Sequence, residues 1–466
     1  MEHYANRCYV LSSPPHSFQE FKPSLVKRSL HLRGKFLTLN MSRTISGFTV
    51  DLMLRGAVFI WLLVWVSSGV CRAGSILIPM DQHQQNHLKA YGLAFHALKE
   101  GSYIDWLLNY RGGSFLIPYS DAVANECLVR GVSFEAISDV RTNNILQEIS
   151  SPAVNMNVVR LETAPRIAVY SIKNELIADE TDAVITVLDY AEIPYTIIYD
   201  DEILSDKLAS YDWLHLHHED FTGQHWRFMW RESAVVESKL QEATATKLGY
   251  SSVSQMKSVV AHKIQTFCAG GGYLFAMCSG AETFDIALAA AGMEFLEGSY
   301  DDDGPDIQSK LDFSKTLAFE NFTLEFGNSR RFSNINTGRP DFFESSKDYF
   351  RLFTFSAKWD IVPSMLTQDH ETVIKEFTGQ TTSFLKSLVK PEALILGENA
   401  EAGNVRYLYG ELGKGHWTYY GGHDPEGSPG RRRGVTDLNL YPHSPGYRLI
   451  LNNVLFPSAK KKKQKT

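Results

Sequence analysis

A cysteine at the end of a predicted buried strand is the residue of this chain best placed for nucleophilic chemistry. Cys278 follows the apolar run Tyr273–Met277 and precedes Ser279 and a helix rich in small residues. On such a tight strand-to-helix turn, backbone N–H groups of the helix N-terminus favour a thiolate and an oxyanion. Cys278 is therefore predicted to be the nucleophile, with Ser279 at the oxyanion site. The alternative is a buried structural cysteine.

A histidine that follows a late predicted strand is the candidate base. His423 comes after strand 416–420 and a Gly-Gly pair, and the next residues are Asp424, Pro425 and Glu426. A cysteine nucleophile needs an imidazole base, and a carboxylate orients that base. We therefore predict His423 as the base, with Asp424 or Glu426 beside it. A loop histidine among ordinary turn residues is the alternative.

The densest histidine group follows another predicted strand. It consists of His215, His217, His218, Glu219, Asp220 and His225. Open α/β sheets bind ligands at the carboxyl ends of their strands. Substrate contact is therefore predicted for His217, His218, Glu219 and Asp220. A divalent metal on His217, His218 and His225 is one alternative, because His and carboxylate groups suit zinc, and a structural loop is the other. No cofactor is otherwise predicted.

The elements that must position these residues alternate between apolar strands and helices. Strands are predicted at 166–170, 195–199, 212–216 and 273–277, and helices at 181–191, 252–268 and 279–291. A βα pattern is expected again at 393–396, 406–412 and 416–420, before a final helix at 447–455. Apolar strands joined by helices indicate a mostly parallel sheet covered on both faces. The predicted fold is a flavodoxin-like three-layer α/β sandwich.

One motif also carries a family resemblance. The string GGGYLFAMCSGA at 270–281, with a late strand ending in GGHDPE, resembles the class I glutamine amidotransferase-like superfamily. The resemblance covers 166–292 and 393–456. It implies a three-layer α/β sandwich and a Cys–His–Glu triad, with Cys278 as nucleophile, His423 as base and Glu426 as orienting carboxylate.

Two departures from this family bear on the activity. The family's His-x-Glu spacing is replaced by His-Asp-Pro-Glu, so Asp424 and Glu426 both stay open as the third member. The place of the family's Gly-Gly oxyanion loop holds residues 217–220 instead. Hydrolysis of glutamine itself is therefore not predicted.

The whole exported chain also resembles a bacterial group labelled asparagine synthetase B-like. An asparagine synthetase needs an SGGxDS-type ATP-pyrophosphatase loop, which the sequence lacks, and an N-terminal cysteine, whereas the processed chain would begin at Gly74. These features do not support the label.

The predicted function is a Cys-dependent hydrolase acting on an amide or related carbonyl compound. The alternative is a catalytically silent module that binds a small molecule, peptide or saccharide on the same fold.

An apolar stretch near the N-terminus has the layout of a secretory signal. Ten apolar residues at 57–66 follow Arg55, and small residues lead to Ala73. Ten helical residues span ~15 Å, about half of a bilayer core. Export to the periplasm or the exterior, with cleavage after Ala73, is predicted. An uncleaved anchor is the alternative and the one expected membrane contact. Met41 and Met53 are alternative starts.

Composition and charge narrow the classes of protein. With 44% hydrophobic and 12% aromatic residues, the 466-residue chain can bury a core. Residues 1–73 hold nine Lys/Arg and three Asp/Glu, so the rest carries 37 basic and 50 acidic side chains. This net negative charge repels phosphate backbones, so the composition excludes nonspecific binding of nucleic acid by the part of the chain after residue 73.

The predicted domains follow these signals. They are an unstructured or mis-assigned start (1–52), a signal peptide (53–73), a small α/β unit (74–164), the amidotransferase-like domain (165–293 and 391–458), an insertion of loops and short strands (294–390) and a basic tail (459–466).

The cysteines do not form a disulfide framework. Cys127, Cys268 and Cys278 remain after processing, an odd and sparse set. A five-residue strand separates Cys268 from Cys278 and alone spans ~16 Å, beyond the ~4.4–6.8 Å that a bridge needs. No disulfide between these two is predicted.

Overall fold

The computed structural model describes residues 73–172, 182–224, 232–291, 293, 308–326, 331–337, 349–368, 371–375, 381–426 and 436–459. The predicted unstructured start, nearly all of the predicted signal peptide, His225 and the lysine tail lie outside these ranges. Within them, no helix combines the length and the apolar character needed to cross a membrane.

The described elements agree with most of the predicted ones. The strands are β1 (Ser75–Ile78), β2 (Ile104–Leu108), β3 (Ser114–Pro118), β4 (Glu135–Ile137), β5 (Asn157–Leu161), β6 (Ile167–Tyr170), β7 (Thr196–Ile198), β8 (Trp213–Leu216), β9 (Tyr273–Met277), β10 (Tyr349–Leu352), β11 (Val373–Lys375), β12 (Phe384–Leu385), β13 (Leu394–Asn399), β14 (Asn404–Leu412) and β15 (Gly415–Tyr420). The helices are α1 (His87–Lys99), α2 (Asp121–Arg130), α3 (Asp139–Ser150), α4 (Ala183–Tyr190), α5 (Asp200–Leu204), α6 (Glu232–Lys247), α7 (Val253–Gly270), α8 (Cys278–Ala289), α9 (Ile361–Leu366) and α10 (Pro445–Leu455).

Five parallel strands form one side of the larger sheet, from its edge strand β7 to β15. Their spatial order is β7-β6-β8-β9-β15, and each neighbouring pair is parallel. Counted along the chain this order is 2-1-3-4-5, the flavodoxin-like arrangement. Strands β6, β8 and β9 are buried almost throughout, because helices cover both faces of a parallel sheet. The predicted α/β fold class is confirmed.

The sheet continues beyond β15 with antiparallel strands. Strands β14, β13, β10 and β11 follow in that order, and β12 pairs with β14. The expected βα pattern at 393–420 is wrong: β13, β14 and β15 are joined directly as hairpins. Their connections, residues 400–403 and 413–414, are too short for a helical crossover, which needs a dozen or more residues. Three strands of the predicted insertion thus belong to this sheet.

Helices cover the two faces of the central strands. Along β8, Trp213 and His215 point to the face of α4 and α10, whereas Leu214 and Leu216 point to the face of α7 and α8. Side chains alternate between faces because the strand period is two. The same rule puts Tyr170 of β6 on the α7 face. The architecture is therefore three-layered.

The N-terminal region forms a second, smaller sheet. Its order is β4-β1-β3-β2-β5, and every pairing is antiparallel. Helix α1 packs one face of this sheet into the core that α4 and α10 also share. Helix α3, which the sequence patterns did not predict, contributes Ile145 and Ile149 to a small cluster with Leu77 and Leu107 of β1 and β2.

Candidate functional site

Cys278 lies at a strained junction between β9 and α8. Its φ of 51° places a non-glycine residue in the left-handed region, which costs on the order of 1–3 kcal/mol and persists only where the surroundings hold it. The side chain is 2% exposed. This combination of strand end, strained backbone and helix start is the geometry of a nucleophile elbow. As predicted, Cys268 and Cys278 do not form a disulfide.

The sulfur of Cys278 is held by a segment that the sequence patterns did not single out. The N–H of Thr381 donates to Cys278 Sγ at 3.4 Å, and Ser279 Oγ lies 3.8 Å from the same sulfur. Thr381 is fixed by the buried carboxylate of Glu282, to which its hydroxyl donates at 2.9 Å. An N–H aimed at sulfur favours the thiolate over the thiol. No local sequence signal marks Thr381, because only long-range packing brings it there.

Thr381 also joins Cys278 to the loop of His423. The carbonyl of Thr381 accepts from the N–H of Gly422 at 2.9 Å, and His423 is the next residue. The ring of His423 packs on the ring of His218, with centroids 3.8 Å apart. Its Nδ1 is buried and has no hydrogen-bond partner among the described residues. His423 thus lies in the neighbourhood of the elbow and contacts His218 directly.

The carboxylate of Asp424, the residue after His423, is hydrogen-bonded to other partners. Asp424 accepts from the hydroxyl of Tyr447 at 2.9 Å, from the hydroxyl of Thr436, and from the N–H of Glu426 at 3.0 Å. These bonds tie Asp424 to the start of α10. Within the described residues, neither Asp424 nor Glu426 is hydrogen-bonded to the ring of His423.

The pKa of His423 is lowered to about 4. Burial of the ring is the largest cause, and the neighbouring His218 adds to it. The carboxylates of Asp182, Asp424 and Glu219 act in the opposite direction but do not outweigh burial. His423 is therefore neutral near pH 7, the form in which an imidazole can accept a proton.

The predicted histidine group is organised around the carboxylate of Asp182, which is not among the predicted site residues. Asp182 accepts from Nε2 of His215 at 3.0 Å and from Nδ1 of His218 at 3.1 Å, and Nε2 of His217 lies 3.8 Å from the same oxygen. We call Asp182, His215, His217 and His218 the histidine cluster. An Asp directly before the apolar helix α4 was the available signal, because such residues cap helices.

The other oxygen of Asp182 caps α4. Oδ1 accepts from the N–H groups of Val184 and Ile185 at 2.8 and 3.0 Å. Burial of Asp182 acts to raise its pKa, but the surrounding histidines, His215 first, hold that pKa well below its usual value. The cap and the cluster thus share one buried, ionised carboxylate.

His215 connects the histidine cluster to strand β9. Its Nδ1 lies 3.1 Å from the carbonyl of Phe275, and its Nε2 lies 3.0 Å from Asp182. Both ring nitrogens of His215 thus face oxygen acceptors. His215 and Asp182 are joined by a fully buried contact. Burial and the neighbouring His217 lower the pKa of His218, against the opposite effect of Asp182.

The histidine cluster is packed against the elbow. The N–H of Gly280 donates to the carbonyl of His218 at 3.2 Å, and the N–H of Phe221 donates to Thr283 Oγ1 at 2.8 Å. A Cβ at Gly280 would lie 2.4 Å from the carbonyl oxygen of His217. Glycine is therefore required there for the close approach of α8 to this loop.

Asp220 and Glu219, the other residues predicted to contact substrate, form hydrogen bonds within the loop that follows β8. Asp220 accepts from the N–H and the hydroxyl of Thr222 at 2.9 and 2.6 Å, which makes it a turn residue. The N–H of Glu219 lies 3.3 Å from Nδ1 of His217. The structure thus brings Cys278, Ser279, His217, His218 and His423 to one edge of the sheet. Asp182, His217 and His218 are the described residues that could hold a metal ion.

Comparisons with known proteins add little to this geometry. No protein-family model and no curated protein matches the sequence. The structure is similar to cytoplasmic protein STM3548 from Salmonella typhimurium, at 10% identity and a TM-score of 0.34, over 64% of this chain and 100% of that one. It is also similar to cytoplasmic protein STM1381 from Salmonella typhimurium LT2, at 11% identity and a TM-score of 0.33, over 67% and 94%.

A third similarity is to part of Gan42B, a GH42 β-galactosidase. It has 9% identity and a TM-score of 0.25, and it covers 56% of this chain and 28% of that chain. At such scores the similarities carry no weight for activity. The fold assignment therefore rests on the strand order and register of the chain itself: a flavodoxin-like α/β sandwich with a cysteine elbow at the carboxyl edge.

Proposed function

We propose that this protein is an exported Cys-dependent hydrolase that cleaves an amide or a related carbonyl compound. The observation that supports it most is the left-handed backbone of Cys278 at the β9–α8 junction. Such strain is kept where a function requires it. The helix N-terminus would favour the thiolate and stabilise the oxyanion that forms when sulfur attacks a carbonyl carbon.

His423 is the proposed base of this reaction. It is neutral near pH 7, and the Thr381–Gly422 hydrogen bond ties its loop to the residue that contacts Cys278 Sγ. In the proposed step, the imidazole takes the thiol proton while sulfur bonds to the carbonyl carbon. The proton then passes to the leaving amine, and water hydrolyses the acyl-enzyme. Asp424 and Glu426 remain proposed only as carboxylates that tune His423.

The test combines an electrophilic thiol probe with a panel of chromogenic amides and esters. We expect the probe to label Cys278 and turnover to vanish in Cys278→Ala and fall at least ~100-fold in His423→Ala, the scale of general base catalysis. Cys127→Ala is the matched control, since Cys127 is a buried cysteine in α2, a helix of the N-terminal region. Turnover that survives Cys278→Ala would refute the proposal.

A second candidate is a ligand-binding module without catalysis. It is favoured by the 2% exposure of Cys278 and by the engagement of its sulfur with the N–H of Thr381. Under this alternative, a small molecule, peptide or saccharide binds at the carboxyl edge and is not turned over. Binding that is retained in Cys278→Ala, together with no turnover in the wild type, would support it.

A further inference from the structure

The histidine cluster has the donor set of a transition-metal site. Asp182 supplies a carboxylate oxygen from the start of α4, and His217 and His218 supply imidazole nitrogens from the loop after β8. One ligand atom from each lies within 4.8 Å of the other two. Two nitrogens and one oxygen form a set typical of a zinc ion that keeps a fourth position open.

The distances suit a single small ion. Asp182 Oδ2 lies 3.1 Å from His218 Nδ1 and 3.8 Å from His217 Nε2. In a tetrahedral zinc site with bonds of ~2.0–2.2 Å, neighbouring ligand atoms are ~3.3–3.6 Å apart. Small rotations of the two rings therefore bring the ligands to coordination distance without moving the backbone.

The carboxylate is held in place from outside the site. Asp182 Oδ1 is fixed by two N–H groups of α4, and Oδ2 also accepts from His215, whose other nitrogen is anchored on the carbonyl of Phe275. Metal ligands in proteins are oriented by this kind of second set of hydrogen bonds. Asp182, His217 and His215 are almost fully buried, so the carboxylate is oriented before an ion arrives.

An additional imidazole ring, that of His423, packs on one of the three ligands. Nδ1 of His423 is buried without a hydrogen-bond partner in the described part of the chain, and the ring packs on His218. A buried nitrogen of this kind costs free energy unless it forms a hydrogen bond or binds a ligand.

Metal binding requires one contact near His217 to change. The N–H of Glu219 lies 3.3 Å from His217 Nδ1. This contact must break, because His217 binds the ion through Nε2 and then carries its proton on Nδ1.

We propose that Asp182, His217 and His218 bind one divalent transition-metal ion of the zinc class at the carboxyl edge of the sheet. Asp182 takes the place that the sequence pattern suggested for His225. The site does not depend on Cys278 acting as a nucleophile. An ion there lies beside the loop that packs on the first turn of α8, where it can polarise a bound carbonyl or water.

The experiment uses the purified full chain after chelation and dialysis. Zn²⁺ and Co²⁺ are titrated by calorimetry, and the Co²⁺ complex is followed by its visible absorption. We expect one ion per chain and a four-coordinate Co²⁺ spectrum. Asp182→Asn, which keeps a capping oxygen, should lower the affinity at least ~100-fold, as should His217→Gln and His218→Gln. His215→Gln should lower it ~10–100-fold, the usual effect of an outer hydrogen-bond partner.

Controls separate this site from other binding. His83→Gln, at an exposed histidine next to Asp81, should leave the affinity unchanged. Cys278→Ala should lose any thiol-dependent turnover and still bind the ion, so the two proposals can fail separately. X-ray absorption of the wild-type zinc complex should show two imidazoles and no sulfur, which tests the site even if a variant does not fold. Absence of stoichiometric binding, a sulfur ligand, or unchanged affinity in the three ligand variants would overturn the proposal.

Discussion

The two faces of the central sheet each bury a charged cluster, and the clusters are satisfied in different ways. In the lysine cluster (Tyr170, Asp200 and Lys257), the ammonium donates to both oxygens of Asp200 at 2.9 and 2.8 Å and to the hydroxyl of Tyr170 at 2.7 Å. The hydroxyl of Tyr170 in turn donates to Asp200 at 2.6 Å. All three N–H groups of Lys257 thus have acceptors.

The histidine cluster on the other face is not closed in this way. One oxygen of Asp182 faces His215, His217 and His218, and Nδ1 of the adjacent His423 has no partner among the described residues. Imidazoles can also change protonation or coordinate metals near neutral pH. A closed cluster fixes a structure, whereas an open cluster of titratable groups is available to a ligand.

The largest expected effect breaks the closed cluster. Lys257→Met leaves Asp200 buried without its counter-charge, and loss of one partner of a buried pair costs about 3–5 kcal/mol. We expect the free energy of unfolding to fall by that amount in urea denaturation. The matched control is Lys263→Met on the same helix, whose partner Asp206 is 82% exposed. Such a surface pair contributes about 1 kcal/mol or less. Equal losses in the two variants would contradict the comparison.

The reactivity of the thiols gives a second contrast, between cysteines buried within helices and Cys278 at the carboxyl edge of the sheet. Cys268 lies on α7, the helix of Lys257, and burial raises its pKa to about 12; burial raises the pKa of Cys127 to about 12 as well. At pH 8 such thiols hold about a thousandfold less thiolate than an ordinary cysteine of pKa ~8.5. We expect iodoacetamide to modify Cys278 first, as measured by peptide mapping over time. Faster modification of Cys268 in the folded protein would contradict this.

His423→Ala sharpens the thiol experiment. If His423 is the base for Cys278, its loss should slow alkylation of Cys278 and leave Cys127 and Cys268 unchanged. If alkylation of Cys278 is as fast in the variant, the helix N-terminus alone favours the thiolate, and His423 is a loop residue.

The central strands could be predicted from sequence, while the polar clusters could not. Apolar runs such as Tyr273–Met277 report burial directly, and the glycines after Cys268 mark the end of α7. The elbow at Cys278 follows from its place between a strand and a helix. The sequence marks Asp182 as a helix cap, but its histidine partners and the partners of Lys257 are known only after folding, because they are 33 and 57 residues or more away in sequence.

The antiparallel half of the sheet shows a second limit. Strands β13, β14 and β15 have the apolar character of parallel core strands, and β14 is buried over seven of its nine residues. Composition alone therefore suggested a βα pattern. The two-residue connection at 413–414 was the better signal, since Gly413 adopts a φ of 61° in a tight hairpin.

A smaller effect concerns acid sensitivity. The pKa of His423 is about 4 in the folded protein, below the ~6.5 of an unfolded chain, so the unfolded state binds the proton first. This contribution to stability is complete above pH ~6.5 and is lost as the pH falls toward 4. We expect wild type to lose about 1–2 kcal/mol more than His423→Gln between pH 7 and pH 5. Denaturation at both pH values tests this, with exposed His83→Gln as control; an identical pH dependence in wild type and His423→Gln would contradict it.

The smallest effect separates the two roles of Asp182. Oδ1 caps α4, whereas Oδ2 faces the histidines. Asn caps a helix as well as Asp does, and loss of a cap costs about 1 kcal/mol, so Asp182→Ala should be less stable than Asp182→Asn by that amount. Both variants lack the carboxylate and should lose metal affinity equally. Ser138→Ala removes the cap of α3, far from the site, and should cost a similar amount with metal affinity unchanged. If Asp182→Asn retained wild-type affinity, capping alone would explain this carboxylate, and the histidine cluster would then be as structural as the lysine cluster.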